Sequence, residues 1–342
     1  MSARARLLDA ASTRVLVKDG AYGTMIQRRR LDEADFKGDF ALSRPQRGNN
    51  DLLNLTRPDV VREICTAFVE AGADILATNT FNANAISQAD YGAEAHVTDI
   101  NRAAARLTRE VAGPDRFVAG AVGPTNKTLS LSPDVENPAY REVTFDEVVA
   151  TYEQQVEALA DGGVDFILVE TIFDTLNAKA AIVATRKVER RMARDLPLMI
   201  SMTLTDLSGR NLSGHTVEAF AATIAHADPV TVGLNCSFGA AALRPHLKIL
   251  AAQSPSLVMA YPNAGLPNDL GQYDEAAADT ARQVAEWLDE GLVNIVGGCC
   301  GTTPEHIAAI AGVAKGAAPR TPADPAPALR LAGLEPMVLP AA

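Results

Sequence analysis

The sequence has few aromatic residues, few cysteines and no long apolar run, and each shortage excludes a class of protein. Aromatic residues make up 5% of the 342 residues, and the 31 Lys and Arg are outnumbered by 42 Asp and Glu. With a formal charge of −11 and no basic patch interleaved with aromatic residues, the chain lacks the features of a nucleic-acid-binding protein. No run approaches the roughly 18 apolar residues of a membrane-spanning helix, and residues 1–19 hold no apolar stretch of signal-peptide length. We therefore expect a cytoplasmic protein with neither a nucleic-acid nor a membrane partner.

The few cysteines have to be explained by their positions. Only Cys65, Cys236, Cys299 and Cys300 occur. In a cytoplasmic chain of this size, four cysteines are more typical of ligands, nucleophiles or core residues than of a disulfide framework. Cys65 falls within the apolar periodicity of residues 58–71 and is predicted to be a core residue. The other three are candidates for chemistry.

Eight short apolar runs bounded by turn residues predict eight β-strands. They are residues 15–18, 75–80, 117–123, 166–171, 198–204, 230–236, 257–262 and 294–299. Amphipathic helical patterns lie between them, at residues 58–71, 146–162, 175–191, 216–227, 240–252 and 275–290. Because strands and helices alternate and the strands are apolar on both faces, the sequence predicts an α/β fold, a TIM (β/α)8 barrel. An open, doubly wound sheet is the alternative.

The composition also predicts how the chain is divided. We expect residues 1–314 to form the barrel and residues 315–342 to form a linker-like tail rich in Pro and Ala, with residues 329–340 loosely ordered. Residues 123–141 contain three prolines and few apolar residues, which predicts a long loop after the third strand. This loop is expected on the face where barrels of this kind keep their sites, although a plain surface excursion is the alternative.

Three cysteines follow predicted strands. Cys236 closes the sixth strand, and Cys299 and Cys300 close the eighth. The carboxyl ends of parallel barrel strands meet at one rim, so these sulfurs can converge although 63 positions separate Cys236 from Cys299. Three thiolates suit zinc and leave a fourth position open for a substrate or water. Buried core thiols remain an alternative, while ring strain and a reducing compartment disfavour a disulfide between the adjacent pair.

Polar residues at other strand ends are candidates for substrate binding. Asp19 closes the first strand and Glu170 the fourth, where a carboxylate is well placed to bind an ammonium group. The alternatives are a turn residue for Asp19 and a helix-start residue for Glu170. Asn263 follows the seventh strand and is either a site residue or a turn former. Thr78 and Thr80 close the second strand, where β-propensity alone is a sufficient explanation for them.

Several segments resemble those of the homocysteine S-methyltransferase family. The resemblance rests on residues 19–24 (DGAYGT), 233–236 (GLNC) and 297–301 (GGCCG). Within the family, residues 123–130 (GPTNKTLS), 171–179 (TIFDTLNAK) and 261–267 (YPNAGLP) are most similar to the N-terminal homocysteine-binding domain of cobalamin-dependent methionine synthases. The resemblance covers about residues 11–314 and itself implies a TIM barrel.

The resemblance implies a set of functional residues. The zinc ligands would be Cys236, Cys299 and Cys300, with the homocysteine sulfur completing the coordination sphere. The amino acid end of homocysteine would be held by Asp19, Gly20, Thr78 and Glu170, and the metal would have Asn263 nearby. The expected activity is zinc-dependent methyl transfer from methylcobalamin to homocysteine, which forms methionine.

The resemblance also implies partners and leaves alternatives open. The chain stops where methionine synthase would continue into further domains, so we expect a partner polypeptide that carries the folate- and cobalamin-binding domains and brings the methylcobalamin. A longer chain cut at the linker is the alternative to such a split enzyme. The competing functions are a methyltransferase that uses a small donor such as betaine or S-methylmethionine, and a non-catalytic subunit with structural zinc.

Overall fold

The chain folds around a closed sheet of eight parallel strands, as seen in a computed structural model that describes residues 1–340. The strand order is β1-β8-β7-β6-β5-β4-β3-β2. The first and second strands meet at a parallel bridge between Lys18 and Ile75, and the Asp19 N–H donates to the Ile75 carbonyl at 3.0 Å. These contacts close the barrel. The predicted TIM barrel is confirmed, and the open doubly wound sheet is wrong.

Each of the eight predicted strands is present. Their bounds are β1 Leu16–Val17, β2 Ile75–Ala77, β3 Phe117–Val122, β4 Phe166–Ile172, β5 Leu198–Met202, β6 Thr231–Asn235, β7 Leu257–Tyr261 and β8 Ile295–Val296. All are shorter than predicted except β4, and β1 and β8 are the shortest. The residues after each strand leave the ladder and form the carboxyl-end rim.

The helices form an outer layer and several insertions. They are α1 Ala3–Thr13, α2 Tyr22–Arg29, α3 Glu33–Lys37, α4 Leu53–Thr56, α5 Pro58–Glu70, α6 Ala85–Gln88, α7 Val97–Ala112, α8 Phe145–Gly162, α9 Thr175–Met192, α10 Val217–Ile224, α11 Ala240–Gln253, α12 Ala277–Asp289 and α13 Pro304–Ala314. The six predicted helical patterns correspond to α5 and α8–α12. Local capping fixes some of the starts: Thr144 and Glu147 exchange side chain to backbone hydrogen bonds in a capping box at α8.

The barrel interior is a separate apolar cluster inside the ring of strands. Alternate strand residues such as Leu16, Phe166 and Met259 meet there, and none of these side chains is exposed. Leu7 and Ala11 of α1 join the same cluster and plug the barrel at the amino ends of the strands. The carboxyl ends carry no such plug among the described residues, so the rim is where a site can form.

The C-terminal tail differs from the prediction of loose order. Residues Ala328–Ala332 and Pro336–Pro340 pair as antiparallel strands, β9 and β10. The hairpin lies against α10, where the Thr216 N–H donates to the Leu334 carbonyl at 3.1 Å. Alternating Leu329 and Leu331 before the Gly333 turn and the apolar run 337–339 after it supply the strand pattern that the surrounding prolines masked. The domain division at residue 314 stays a prediction.

The remaining expectations for the fold are met in part. Residues 123–141 form neither helix nor strand, as predicted, and this loop is tied down by the Asp174 carboxylate, which accepts from the N–H groups of Leu129 and Ser130 at 2.9 and 2.8 Å. Cys65 is fully buried in the core between barrel and helices, which confirms its prediction. Between residues 1 and 340, no helix is both long and apolar enough to cross a membrane.

Candidate metal centre and substrate cavity

Three cysteine sulfurs converge at the rim. The Sγ atoms of Cys236, Cys299 and Cys300 all lie within 4.8 Å of one another, and those of Cys236 and Cys300 are 3.8 Å apart. All three cysteines are free thiols. A tetrahedral zinc ion with bonds of about 2.3 Å to sulfur places its ligands about 3.8 Å apart. The donor atoms and their spacing therefore fit a zinc ion with one open position.

The backbone at the end of β6 is strained where it presents the first sulfur. Cys236 and Ser237 both adopt φ of 62°, in the left-handed region that non-glycine residues rarely occupy. The Ser237 hydroxyl bonds to the Thr203 hydroxyl at 2.6 Å and to the Leu204 carbonyl, and the Phe238 N–H donates to the Cys236 carbonyl at 2.7 Å. These bonds hold a conformation that costs about 1 kcal/mol or more per residue, as strained functional sites often do.

The two glycines before the paired cysteines lie where neighbouring atoms leave no room for a side chain. A Cβ atom on Gly297 would lie 2.8 Å from the Cβ of Lys18, and one on Gly298 would lie 2.4 Å from the Thr302 hydroxyl oxygen. Neither glycine has a positive φ. The glycines thus bring β8 close to β1 and to the loop before α13, which sets the position of the two sulfurs.

The three thiols share their protons. Hydrogen bonds from Cys236 and Cys299 lower the pKa of the Cys300 thiol to about 3, with a further contribution from Tyr273. The pKa of Cys299 is raised well above the usual thiol value because its hydrogen bonds with Cys236 and Cys300 hold the proton. The shared hydrogen bonds therefore let the cluster as a whole release a first proton more readily than an isolated thiol, which favours a divalent cation.

One residue of the cluster was missed by the sequence reasoning. The Asn235 amide Nδ2 lies 3.9 Å from the Cys299 sulfur and donates to the Thr171 hydroxyl at 2.8 Å. Its Oδ1 accepts from the Ser201 hydroxyl at 2.7 Å and from the Thr171 N–H at 3.1 Å. Asn235 is thus oriented toward a metal ligand by two other strands, as supporting residues of metal sites commonly are. Its position next to Cys236 at a strand end was the available signal.

A cavity of about 800 Å³ opens above the sulfurs. Six of the predicted site residues line it: Gly20, Thr78, Glu170, Cys236, Cys299 and Cys300. Residues that were not predicted complete the inner wall and the mouth: Lys18, Tyr22, Thr24, Gln27, Arg28, Arg30, Asn50, Asp51, Asn79, Phe81, Asn82, Tyr261, Gln272 and Tyr273. The remaining two predicted residues, Asp19 and Asn263, lie behind the wall.

Glu170 is the carboxylate of the inner cavity. It is 8% exposed, and its Oε2 accepts a hydrogen bond from the Tyr261 hydroxyl at 2.9 Å. Burial raises the pKa of Glu170, and the nearby Lys18 ammonium opposes this shift. Glu170 lines the cavity, and within residues 1–340 its Oε1 makes no hydrogen bond, so it can pair with a cation.

Asp19 has partners other than the predicted substrate ammonium. Its carboxylate is fully buried, with Oδ1 2.8 Å from the Lys18 ammonium and Oδ2 accepting from the Ala77 N–H at 2.8 Å. Both oxygens are thus taken by protein groups. Lys18 was missed by the sequence reasoning, although the two-residue period from Leu16 turns it toward the barrel interior.

Thr78 and Asn263 hold the backbone of the rim. The Thr78 hydroxyl accepts from the Ala121 N–H at 2.9 Å and lies 2.6 Å from the Thr80 hydroxyl, so it ties β2 to β3. The Asn263 Oδ1 accepts from the Cys300 N–H at 3.1 Å. Asn263 therefore positions a cysteine through its backbone, close to where a metal would bind.

The chain matches one family model and shares its fold with solved structures. A sequence model of the family described as homocysteine S-methyltransferase matches residues 16–314. Among solved structures, the metallated form of the homocysteine methyltransferase MmuM from Escherichia coli has a TM-score of 0.68 and 24% identity, covering 91% of this chain and 99% of that one. The oxidised form of the same enzyme has a TM-score of 0.68 and 23% identity over the same shares. At this identity the two structures show a common fold.

Proposed function

Because the chain belongs to the homocysteine S-methyltransferase family, we propose that it binds homocysteine at a zinc site made by Cys236, Cys299 and Cys300 and transfers a methyl group to its sulfur. The observation that carries the proposal is the convergence of three free thiols at the floor of a large cavity. Three protein ligands and an open position are typical of catalytic zinc, whereas structural zinc is closed by four.

The chemistry of the thiol explains why a metal is needed. An alkyl thiol has a pKa near 8.5, so only a few per cent is the nucleophilic thiolate at neutral pH. When bound, zinc would supply a Lewis-acidic position at which a substrate thiol loses its proton. The protein holds the three sulfurs ready through the strained turn at Cys236 and through the hydrogen bonds of Asn235 and Asn263.

We propose that the substrate ammonium pairs with Glu170, the carboxylate that faces the cavity. Gly20 and Thr78 would form the wall against the amino acid end. Asp19 would then be a positioning residue that acts through Lys18, because its own oxygens are occupied. Asn263 would likewise act through the Cys300 backbone.

We propose methylcobalamin as the methyl donor, presented by a partner polypeptide that carries cobalamin- and folate-binding domains, so that the product is methionine. A cavity of about 800 Å³ leaves room well beyond homocysteine, since pockets of about 300–1,000 Å³ hold whole drug-sized ligands. The mouth is polar, with amide side chains at Asn50, Asn79 and Asn82 that are suited to an amide-rich donor. The barrel at residues 1–314 would be the catalytic part and residues 315–342 the connection, the last two of which lie outside the described residues. The cytoplasmic location stays a prediction.

The test is a donor panel on the zinc-loaded protein. Purified chain and homocysteine are incubated with free methylcobalamin, betaine or S-methylmethionine, and methionine is measured by mass spectrometry before and after zinc is chelated. We expect methionine to form with methylcobalamin and with neither of the other two donors, and only while zinc is bound. Turnover with betaine or S-methylmethionine would replace the proposed donor, and an X-ray absorption spectrum of zinc that homocysteine leaves unchanged would indicate a structural, non-catalytic zinc.

A further inference from the structure

A buried ammonium lies in the wall of the inner cavity. The Lys18 side chain is 4% exposed, lines the cavity and lies with its Nζ 4.6 Å from the centre of the Tyr261 ring. It stands between the carboxylates of Asp19 and Glu170, whose charges more than offset the effect of burial, so its pKa is raised and it stays protonated. A lysine this buried is rare unless it is paired or functional.

The ion pair with Asp19 leaves part of the hydrogen-bonding capacity of this ammonium unused. Within residues 1–340, the Lys18 Nζ makes one hydrogen bond, to Asp19 Oδ1 at 2.8 Å, whereas an ammonium has three N–H donors. Because Lys18 lines the cavity, its remaining donors can meet an acceptor from a ligand. An ion pair needed only for stability is often replaced by apolar residues without loss, so its presence at this wall calls for another explanation.

The inner cavity therefore presents one cation and one anion to the same ligand. Lys18 supplies the cation and Glu170 the anion, above the sulfurs that would fix a thiol. An α-amino acid thiol carries the complementary charges, a carboxylate and an ammonium. We propose that Lys18 is a specificity-determining residue whose ammonium binds the α-carboxylate of the substrate, while Glu170 binds the α-ammonium. This inference rests on the proposed function and adds the group that recognises the carboxylate.

The inference is tested with thiols that lack one charge each. Binding to the zinc-loaded protein is measured by calorimetry for homocysteine, for 3-aminopropane-1-thiol, which lacks the carboxylate, and for 4-sulfanylbutanoate, which lacks the ammonium. The variants are Lys18→Met and the double change Lys18→Met with Asp19→Asn, which removes both charges of the buried Lys18–Asp19 pair. Glu170→Gln is the variant for the opposite charge, and Lys315→Met, at an exposed site, is the matched control.

In wild type, homocysteine should bind about 10- to 100-fold more tightly than 3-aminopropane-1-thiol, the usual range for a hydrogen bond to a charged group. Both Lys18 variants should reduce this ratio to near one while zinc is still bound, because any effect of the change on Glu170 applies to the ammonium of both ligands and cancels in the ratio. Glu170→Gln should instead reduce the preference over 4-sulfanylbutanoate. An unchanged ratio in the double variant would overturn the inference and assign the carboxylate to other groups, such as the N–H groups at the start of α2. If wild type holds zinc but binds no homocysteine, the proposed function itself is wrong.

Discussion

Two levels of the barrel interior differ sharply in composition although the same strands build both. The lower level holds Leu16, Leu168 and Met259, all fully buried and apolar. Two residues further along the same strands, the upper level holds Lys18, Glu170 and Tyr261. Alternate residues of a strand face the same side of the sheet. A shift of two residues along each strand therefore leads from the packed apolar core to the polar wall of the cavity.

The two levels also differ in their effect on the stability of the barrel. The lower level removes apolar side chains from water, which stabilises the barrel. The upper level buries the Lys18–Asp19 ion pair, and the turn below the cavity holds Cys236 in a strained conformation. Apolar burial in the lower level therefore stabilises the fold. Part of that stabilisation offsets the free-energy cost of the buried ion pair and the strained turn in the upper level.

The largest effect is expected where the upper level would hold its metal. Cys300→Ser should lower zinc affinity by more than about 100-fold and abolish methyl transfer, because even partners of metal ligands contribute 10- to 100-fold. Zinc content is measured by atomic absorption after dialysis at buffered free zinc. Cys65→Ala is the matched control, since it removes a buried thiol outside the cluster and should retain one zinc per chain. Retention of zinc and activity by Cys300→Ser would contradict the ligand assignment.

The lower level should respond in the opposite way. Leu168→Ala removes a fully buried side chain, so the free energy of unfolding should fall by about 3–5 kcal/mol. The fraction that remains folded should hold zinc as wild type does, because the sulfurs are attached to other strands. Urea denaturation and zinc content measure the two effects. Leu176→Ala, the same change at a position 37% exposed, should cost less than about 1 kcal/mol. Zinc loss in folded Leu168→Ala would show that the two levels are not separable.

The lower level and the three cysteines were predictable from sequence because both follow strand periodicity. Apolar runs located all eight strands, and strand ends located Cys236, Cys299 and Cys300 at one rim. A parallel barrel fixes where its strand ends meet, so the position of the rim needs no knowledge of side-chain contacts.

The partners of the upper level were not predictable in the same way. Asp19 follows β1 directly, yet its carboxylate turns to Lys18 and the Ala77 N–H, a choice that depends on how β1 and β2 close the barrel. Asn263 reaches the Cys300 backbone from a neighbouring strand end, which no local pattern records. Charged side chains take the nearest partner in three dimensions, so their roles have to be found in the fold.

The smallest of the three effects concerns a carboxylate in the outer wall of the cavity. Asp51 is 3% exposed, and its Oδ1 accepts from the Asn82 N–H at 2.9 Å. Burial raises its pKa to about 7. The folded state therefore binds a proton that the unfolded state, with an ordinary pKa near 3.9, releases as the pH rises from about 4 to 7. Across that window the unfolded state has lost its proton while the folded state retains it, so the protein becomes less stable as the pH rises.

Asp51→Asn retains the acceptor for Asn82 and removes the titration. Its free energy of unfolding relative to wild type should rise by about 2 kcal/mol between about pH 5 and pH 8, since each unit of pKa shift corresponds to about 1.4 kcal/mol and cavity water screens part of it. Urea denaturation at both pH values measures this, and the comparison of two variants cancels the titration of the cysteines. Asp9→Asn, at an exposed position, is the control, and its free energy of unfolding should change between the two pH values as that of wild type does. A constant gap between Asp51→Asn and wild type would mean that Asp51 is ionised throughout and that the outer wall, unlike the level of Lys18, imposes no cost on the barrel.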